Sequence, residues 1–360
     1  MTAQEIINND VNNIIKRVGD SLKRLSGKTL LITGPCGLLA SYMVDTIARL
    51  NEAYLNSRCK VIGLQRSKVT KDSRLGHLLA RKDIRLVTHN VALPFKIKEK
   101  VHFIIQAAGK SAPKFFQEDP LGTIDVNVNG LRWLLDYAAG EAVESVMFLS
   151  SGEIYGEPPA ENIPTPETYN GNVSTLASRA CYTEGKRLGE TLCSIFYRKF
   201  NVPAKIVRPL LVYGPGLSID DPRVMADFMR KGINHEPIAM LDEGKALRSY
   251  CYIEDATVAF FKVLLSDANG EVFNVGSDKE EVSIRQLAEL VHDLCGIKIA
   301  PQFKVTEKLE YVKEAPGRVC PGIGKIRKNF GYEPRVSLKE GLLRTINWNL
   351  ARLNKELLKV

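Results

Sequence analysis

The chain has 360 residues, of which 44% are hydrophobic and 25% charged, a composition ordinary for a globular protein. Its formal net charge is +9, but no long basic run or zinc-finger spacing accompanies that charge, which argues against a nucleic-acid partner. Cysteines without a CxxC pair, no signal peptide and no apolar run of about 18 residues predict a cytoplasmic protein that does not enter a membrane.

The first 25 residues carry apolar side chains at a nearly helical spacing, so residues 1–26 are predicted to form an N-terminal helical arm. The members of this apolar series are Ile6, Ile7, Val11, Ile14, Ile15, Val18, Leu22 and Leu25. Either a lid on the edge of the sheet or a contact between subunits would explain such an arm.

A strand, a glycine turn and a helix follow in succession. The strand is predicted at residues 29–33, and an apolar-periodic helix runs through Leu50. Glycine at 34 and 37 permits a tight turn that brings the helix N-terminus, with its free N–H groups, against a pyrophosphate. The predicted cofactor loop consists of Gly34, Pro35, Cys36, Gly37, Leu38 and Leu39.

The ends of the next two strands predict the adenosine site. Residues 60–64 form the second strand, and its tip carries Arg66 where an acidic residue would accept the ribose hydroxyls of NAD. An arginine there also suits the 2′-phosphate of NADP, so NAD is expected and NADP stays open. Asn90 and Val91, after the third strand, are predicted to contact adenine.

Two further strands end in small or hydroxyl-bearing residues. Residues 102–109 read as a buried strand whose last residues, Ala107, Ala108 and Gly109, allow a flat ring to approach closely. Asn127, on a helix predicted from about Pro120, is a further expected cofactor contact. The strand at residues 145–151 ends in two serines.

Tyr182 and Lys186 lie four residues apart in a helix predicted over residues 177–200. This spacing puts both side chains on one helical face. An ammonium beside a phenol favours the phenolate and lowers a pKa that is about 10 when unperturbed. The pair therefore predicts a general base that acts on an alcohol.

Strands that alternate with helices predict an α/β fold, a Rossmann-type doubly wound parallel sheet with a smaller C-terminal α/β substrate-binding domain. We expect the dinucleotide-binding domain to span residues 27–212. Residues 213–345 are expected to be mainly the substrate-binding domain, with some segments returning to the sheet. A helix predicted over residues 337–360 would end the chain, of which residues 346–360 form the last part.

Taken together, residues 28–345 resemble the extended short-chain dehydrogenase/reductase family, which contains NAD-dependent nucleotide-sugar epimerases, dehydratases and decarboxylases. The likeness rests on the glycine turn at residues 33–40, the strand end at residues 150–156, and Tyr182 with Lys186. The run at residues 179–187 is most similar to that of UDP-glucuronate decarboxylases.

The resemblance implies an enzyme that oxidises sugar C4 with a bound nicotinamide cofactor, releases CO2 from the 4-keto sugar and reduces it again. Tyr182 would be the base, Lys186 would hold down its pKa, and Ser151 would hydrogen-bond the reacting oxygen. Glu153 would lie near C5 and C6, and Arg318 near the carboxylate. No metal is implied. The implied substrate-binding residues are Lys110, Ser111, Gly152, Arg223, Arg248 and Arg318.

Two positions depart from the decarboxylases: Gly152 replaces a serine, and Leu211 replaces an asparagine that faces the diphosphate. An NDP-hexose 4-epimerase or 4,6-dehydratase is therefore an alternative, in which Gly152 opens room for a different C6 group. A catalytically silent NAD(P)-sensing or RNA-binding module is the alternative from another class. Such a module has no need of an intact Ser151, Tyr182 and Lys186.

Apolar positions on two helices exceed what a stripe facing the sheet requires, which predicts a homodimer through a four-helix bundle. These positions are Leu131, Leu134, Leu135, Leu188, Leu192, Ile195 and Phe196.

Overall fold

The structure is a computed structural model that describes residues 1–109, 111, 113–240, 242–297, 302–303 and 316–358. The helices are α1 (Ala3–Val18), α2 (Leu38–Ala53), α3 (Pro113–Glu118), α4 (Pro120–Asn127), α5 (Asn129–Gly140), α6 (Ala180–Phe200), α7 (Val224–Ile233), α8 (Ile253–Leu264), α9 (Ile284–Cys295), α10 (Gly324–Phe330) and α11 (Leu338–Arg352). The strands are β1 (Thr29–Thr33), β2 (Lys60–Gln65), β3 (Ile84–Thr88), β4 (Phe103–Gln106), β5 (Ser145–Leu149), β6 (Ala204–Pro209), β7 (Val212–Tyr213), β8 (Ala239–Met240), β9 (Leu247–Ser249), β10 (Cys251–Tyr252), β11 (Val272–Val275), β12 (Glu281–Ser283), β13 (Gln302–Phe303) and β14 (Arg318–Val319).

A seven-stranded sheet with the order β11-β6-β5-β4-β1-β2-β3 organises the chain. All its neighbouring strands pair in parallel. The strand order reverses between β1 and β4, the position at which open α/β sheets place a ligand beyond the carboxyl ends of their strands. This arrangement confirms the predicted Rossmann-type fold.

Buried strands explain why both faces of the sheet carry helices. In β1, Leu30 and Ile32 pack into one hydrophobic cluster, together with residues of α2 and α8. Leu31 points to the opposite face, into a second cluster with residues of α5 and α6. Side chains that alternate between two covered faces are typical of a parallel strand buried on both sides.

The N-terminal arm packs on helices. Helix α1 contacts α2, α8 and α11. Its buried Asp10 carboxylate accepts hydrogen bonds from the hydroxyls of Tyr42 (2.8 Å) and Tyr252 (2.7 Å) and pairs with Arg344 at 2.8 Å. Burial raises the pKa of Asp10 to about 6, although the Arg344 charge opposes this shift. The arm thus joins α2, which follows the glycine turn, to the C-terminal part of the chain.

Several element boundaries differ from the sequence predictions. The final helix ends at Arg352, and residues 353–358 are not helical. The strand predicted over residues 102–109 is limited to Phe103–Gln106. The helix predicted from about Pro120 ends at Asn127, and a second helix, α5, begins at Asn129 after Val128. Within the ranges described above, none of the helices is both long and apolar enough to cross a bilayer.

Candidate active site

The carboxyl ends of the central strands open into a cleft of about 1230 Å³. It extends from the glycine turn after β1 to the segments around β9 and β14. The predicted site residues that line the cleft are Gly34, Gly37, Leu38, Leu39, Ala107, Gly109, Ser111, Ser151, Gly152, Glu153, Tyr182, Lys186, Arg223, Arg248 and Arg318. Lys110 lies outside the described residues.

The glycine turn is built for close approach of a ligand. Gly34 has φ +65°, and a Cβ there would lie 2.8 Å from Ala108 Cα, so only glycine fits. Gly37 caps α2 without a side-chain hydrogen bond, which leaves the first N–H groups of the helix open toward the cleft. The hydroxyl of Thr33 fixes the neighbouring strand end by accepting from the amides of Ala107 (3.2 Å) and Ala108 (3.0 Å).

A dinucleotide fits these residues. An open helix N-terminus favours a pyrophosphate. The buried side-chain oxygen of Asn127 has no hydrogen-bond partner among the described residues, so it can accept one more hydrogen bond. Arg66 and Asn90 are exposed at the ends of β2 and β3, and Val91 is buried there. These three residues do not line the cleft.

Tyr182 and Ser151 meet across the cleft floor. Ser151 follows β5, and its hydroxyl is near enough to Tyr182, on helix α6, to lower the pKa of the phenol. The Ser151 oxygen also accepts from the Glu153 amide at 3.2 Å. Phe116 stacks on the Tyr182 ring with centroids 5.3 Å apart. The phenol is thereby held in one orientation, with Ser151 beside its hydroxyl.

Lys186 is buried below the tyrosine. Its amine donates to the carbonyl of Leu149 at 2.5 Å and lies 5.7 Å from the centre of the Tyr182 ring. Burial lowers the pKa of Lys186 to about 7, opposed by the negative charge of Glu190. Glu190 itself accepts from Ser150 (2.6 Å) and pairs with Arg208. This network ties helix α6 to the strand ends that carry the site.

The groups that set the pKa of Tyr182 in this structure do not include Lys186, so the lowering of that pKa by Lys186 stays a prediction. Burial raises the pKa of Tyr182 to about 12, whereas its hydrogen bond with Ser151 lowers it. The charge of Glu153 raises the same pKa and that of Arg223 lowers it. Tyr182 is thus a protonated phenol at neutral pH, and its use as a base requires additional positive charge nearby.

Charged side chains line the end of the cleft away from the glycine turn, among them Glu153, Arg179, Arg223 and Arg248. Glu153 is half exposed and pairs with Arg179 at 3.0 Å. Arg223 forms a bidentate pair with Asp221, at 2.9 and 2.7 Å. Arg248 donates to the carbonyls of Leu247 (2.8 Å) and Pro316 (2.7 Å). The cleft therefore concentrates arginines, which suits a phosphorylated substrate.

Arg318 reaches the rim of the same cleft but is already paired. Its Nε and Nη2 donate to both oxygens of Glu281, at 2.7 and 2.6 Å. No sequence pattern indicates this partner, which lies 37 positions away along the chain. Arg179 and Phe116 are two site residues to which sequence reasoning assigned no role. Arg179 lies in the run of residues 179–187 on which the resemblance to the decarboxylases rests, whereas no sequence pattern includes Phe116.

Leu210 fills the space beside Gly152. A Cβ built on Gly152 would lie 2.8 Å from Leu210 Cδ2, and Leu210 is buried. The expectation that Gly152 opens room for a different C6 group is therefore wrong. At Leu211, which also lines the cleft, the backbone has φ +47°, a conformation that asparagine adopts more readily than leucine.

Comparison with known proteins gives concordant matches. The model of the NAD dependent epimerase/dehydratase family matches residues 30–276. UDP-glucuronic acid decarboxylase 5 of Arabidopsis thaliana is 30% identical over 317 residues, which cover 88% of this chain and 88% of that protein. UDP-glucuronic acid decarboxylase 1 of Xenopus tropicalis is 28% identical over 321 residues, 89% of this chain and 72% of that protein.

Solved structures show the same fold. A UDP-glucose 4-epimerase of Thermotoga maritima superimposes with a TM-score of 0.76 at 22% identity, covering 90% of this chain and 99% of that one. An epimerase of Methanothermobacter thermautotrophicus gives 0.78 at 24% identity, with 95% and 99% covered. At these identities the structural likeness concerns the fold alone.

Proposed function

Since the chain belongs to the NAD dependent epimerase/dehydratase family, we propose that it is a nucleotide-sugar enzyme that oxidises C4 with bound NAD. Decarboxylation of UDP-glucuronate is the favoured outcome. The observation that carries the proposal is that Ser151, Tyr182 and Lys186 line one cleft, which starts at the glycine turn. A binding module without chemistry would not need this arrangement.

The chain's own residues account for NAD binding. The open N-terminus of α2 would hold the pyrophosphate, and Lys186 with Asn127 would face the nicotinamide ribose. A Cβ on Gly109 would lie 3.6 Å from Lys186 Nζ and 3.7 Å from Asn127 Oδ1, so Gly109 lies next to both groups. When bound, the oxidised nicotinamide supplies a positive charge and a hydride acceptor for C4.

Tyr182 and Ser151 handle the proton of the C4 hydroxyl. Ser151 holds the oxygen, and Tyr182 takes the proton as C4 becomes a ketone. A phenol whose pKa is about 12 is almost entirely protonated at neutral pH, so positive charge near it has to favour the phenolate before it can accept a proton. Lys186 contributes when protonated, and Arg223 already acts in that direction.

The second half of the reaction follows from the ketone. A C6 carboxylate lies β to the C4 carbonyl, so the C5–C6 bond can break with its electron pair moving onto the C4 oxygen. Tyr182 and Ser151 stabilise that oxygen by hydrogen bonds. A proton would then add at C5, and Tyr182 would return its proton to the C4 oxygen as the ketone is reduced to give a nucleotide pentose, with bound NADH as the source of the hydride. Glu153, paired with Arg179, is the nearest carboxyl group in the motif for placing C5 and C6.

One observation speaks against 4,6-dehydration. Loss of water from C5 and C6 needs an acid at residue 152, and Gly152 has no proton to donate. Leu210 occupies the adjoining space, which makes the surroundings apolar as well. We therefore favour decarboxylation over dehydration as the reaction of this protein.

We also propose a homodimer, on revised grounds. The prediction that the dimer face includes the following four residues is wrong, because they are buried against the sheet: Leu131, Leu134, Leu135 and Phe196. The exposed large hydrophobic residues on α4 and α6 include Leu121, Ile124, Leu188 and Ile195, and α6 also exposes Tyr197 and Phe200 near its end. Helices α4 and α6 pack side by side. Their shared apolar surface suits a second copy of this chain.

The experiment that tests the function is incubation with UDP, GDP, CDP and dTDP sugars, including UDP-glucuronate. Mass spectrometry detects loss of CO2 or water, and NMR detects inversion at C4. Release of CO2 from UDP-glucuronate alone supports the proposal. If a neutral hexose loses water, the protein is a dehydratase, and if its C4 is inverted, the protein is an epimerase. If none of the sugars is converted, the proposal of an enzyme of this class is rejected.

A further inference from the structure

Glu190, on helix α6, lies one turn beyond Lys186 and faces the end of β5. Its side chain is 13% exposed, and a spacing of four residues puts it on the same helical face as Lys186. The Lys186 amine donates to the Leu149 carbonyl at 2.5 Å, and the hydroxyl of the next residue, Ser150, donates to Glu190 Oε1 at 2.6 Å. Two side chains of α6 thus hold consecutive residues of the segment that leads into Ser151.

Arg208, in β6, fixes the position of the Glu190 carboxylate. Its Nε and Nη2 donate to the two carboxylate oxygens at 2.9 and 2.7 Å. Its Nη1 donates to the hydroxyl oxygen of Tyr155 at 2.8 Å and to the carbonyl of Glu167 at 3.1 Å. A carboxylate held by a guanidinium fork keeps one orientation, so the Glu190 charge acts on its surroundings from a fixed place.

The charge around the buried Lys186 amine comes from its own helix. In the part of the chain that the structure describes, the groups whose charge raises the pKa of Lys186 are Glu190 and Cys193, both on α6, and burial opposes them. Burial also keeps the pKa of the Cys193 thiol well above its usual range, so of these two groups Glu190 is the one ionised at neutral pH. The other neighbours are the rings of Phe148 and Tyr182, whose centres lie 4.8 and 5.7 Å from Lys186 Nζ.

The reaction uses Lys186 in its charged form, because an ammonium beside Tyr182 favours the phenolate and a neutral amine does not. We propose that Glu190 is a positioning residue for this reaction, whose carboxylate keeps the Lys186 amine charged beside Tyr182. This inference rests on the proposed function, since it takes the roles of Lys186 and Tyr182 as given. In the opposing, purely structural role, Glu190 only ties α6 to β5 and β6.

Two substitutions separate the charge of Glu190 from its hydrogen bonds. E190Q removes the charge but keeps an oxygen for Ser150 and Arg208, whereas E190D keeps the charge and shortens the side chain. The titration of Lys186 is followed by NMR of protein labelled with 13C at lysine Cε, and K186M identifies the signal. In E190Q the titration midpoint should fall by about one pH unit or more. In E190D the midpoint should stay nearer to that of the unsubstituted protein.

The matched control is E184Q, which neutralises a glutamate of the same helix whose side chain is 40% exposed. It should leave the Lys186 midpoint unchanged. The pH profile of UDP-glucuronate turnover is a second readout. The pH above which turnover declines should move down in E190Q and stay in place in E184Q, whereas a purely structural role would lower turnover without moving the profile.

The outcomes separate this inference from the proposed function. An unchanged Lys186 midpoint in E190Q overturns the inference, and so does an equal fall in E190Q and E190D, because side-chain length would then matter instead of charge. A shifted midpoint with an unshifted turnover profile overturns it as well. If the midpoint shifts but no sugar is converted by the unsubstituted protein, the proposed function falls while the effect of Glu190 on Lys186 stands.

Circular dichroism checks that each variant is folded. If E190Q unfolds, the double variant E190M/R208M replaces it, since removing both partners of the buried pair leaves no uncompensated charge. The same fall of the Lys186 midpoint is expected in the double variant, and its absence overturns the inference.

Discussion

Leu210 and Gly152 share one space on the floor of the cleft, because a Cβ on the glycine would lie 2.8 Å from Leu210 Cδ2. Gly152, which follows β5, and Leu210, which follows β6, therefore fit together because one is small and the other is large. The residue at 152 is constrained by its neighbour, and the serine of the related decarboxylases would need a smaller partner.

The first prediction concerns this pair. G152S should lower the free energy of unfolding by about 1–3 kcal/mol through overpacking. L210A alone should cost about 2–5 kcal/mol by leaving a cavity. In the double variant G152S/L210A the two costs should not add, since each change relieves the other. Denaturant unfolding gives the free energy of unfolding of the unsubstituted protein and the three variants. Strictly additive changes in that free energy would show that the two side chains do not compete for space.

The second prediction concerns the reacting group. Y182F removes the proton acceptor, and turnover of the substrate should fall by about 10²–10⁴-fold. NAD affinity should change little, because the phenyl ring still packs against Phe116. The exposed Tyr54 provides the control, since Y54F should keep full turnover. Normal activity in Y182F would refute Tyr182 as the base.

The third prediction follows from the burial of Lys186. Its pKa is about 7 in the folded chain and near 10.5 when unfolded, so the unfolded chain binds more protons between these values. The free energy of unfolding therefore rises with pH across this window, with a slope of up to about 1.4 kcal/mol per pH unit from this group. K186M should lose that contribution.

Urea denaturation at pH 7, 8, 9 and 10 measures how the free energy of unfolding depends on pH in the unsubstituted protein and in K186M. The stability of K186M relative to the unsubstituted protein should decrease as pH rises. Lys245 is exposed, so K245M should run parallel to the unsubstituted protein throughout. Parallel curves for K186M as well would mean that the amine is charged in the folded chain.

The fourth prediction concerns assembly. L188E and I195E together place charges on the exposed apolar face of α6 and should shift the protein from dimer to monomer in sedimentation at micromolar concentration. Substitution of Leu353, an exposed leucine beyond α11, by glutamate should leave the dimer intact. A monomer in the unsubstituted protein would contradict the proposed dimer.

The local patterns predicted most of the fold, and long-range contacts explain the rest. Alternating strands and helices and the glycine turn are encoded in adjacent residues, so periodicity and motif spacing found them. The spacing of Tyr182 and Lys186 placed both on one helical face but did not say that the amine turns to Leu149. The pKa of the phenol depends on burial, which spacing does not reveal.

The same limit applies to the partners of other site residues. Glu281 holds Arg318, Leu210 fills the space at Gly152, and Phe116 stacks on Tyr182. Each of these contacts joins segments that only the folded sheet brings together. The leucines of α5 read as a surplus apolar face in the sequence, but the sheet buries them.

The most direct test of C4 oxidation uses UDP-glucuronate that carries deuterium at C4. The account predicts release of CO2 and a UDP-pentose that retains the deuterium at C4, because the hydride leaves and returns to the same carbon within one active site. Mass spectrometry and NMR of the product detect both the loss of CO2 and the retention of deuterium at C4. A pentose whose C4 deuterium has been replaced by hydrogen from the solvent, or a substrate that comes back unchanged, would contradict it.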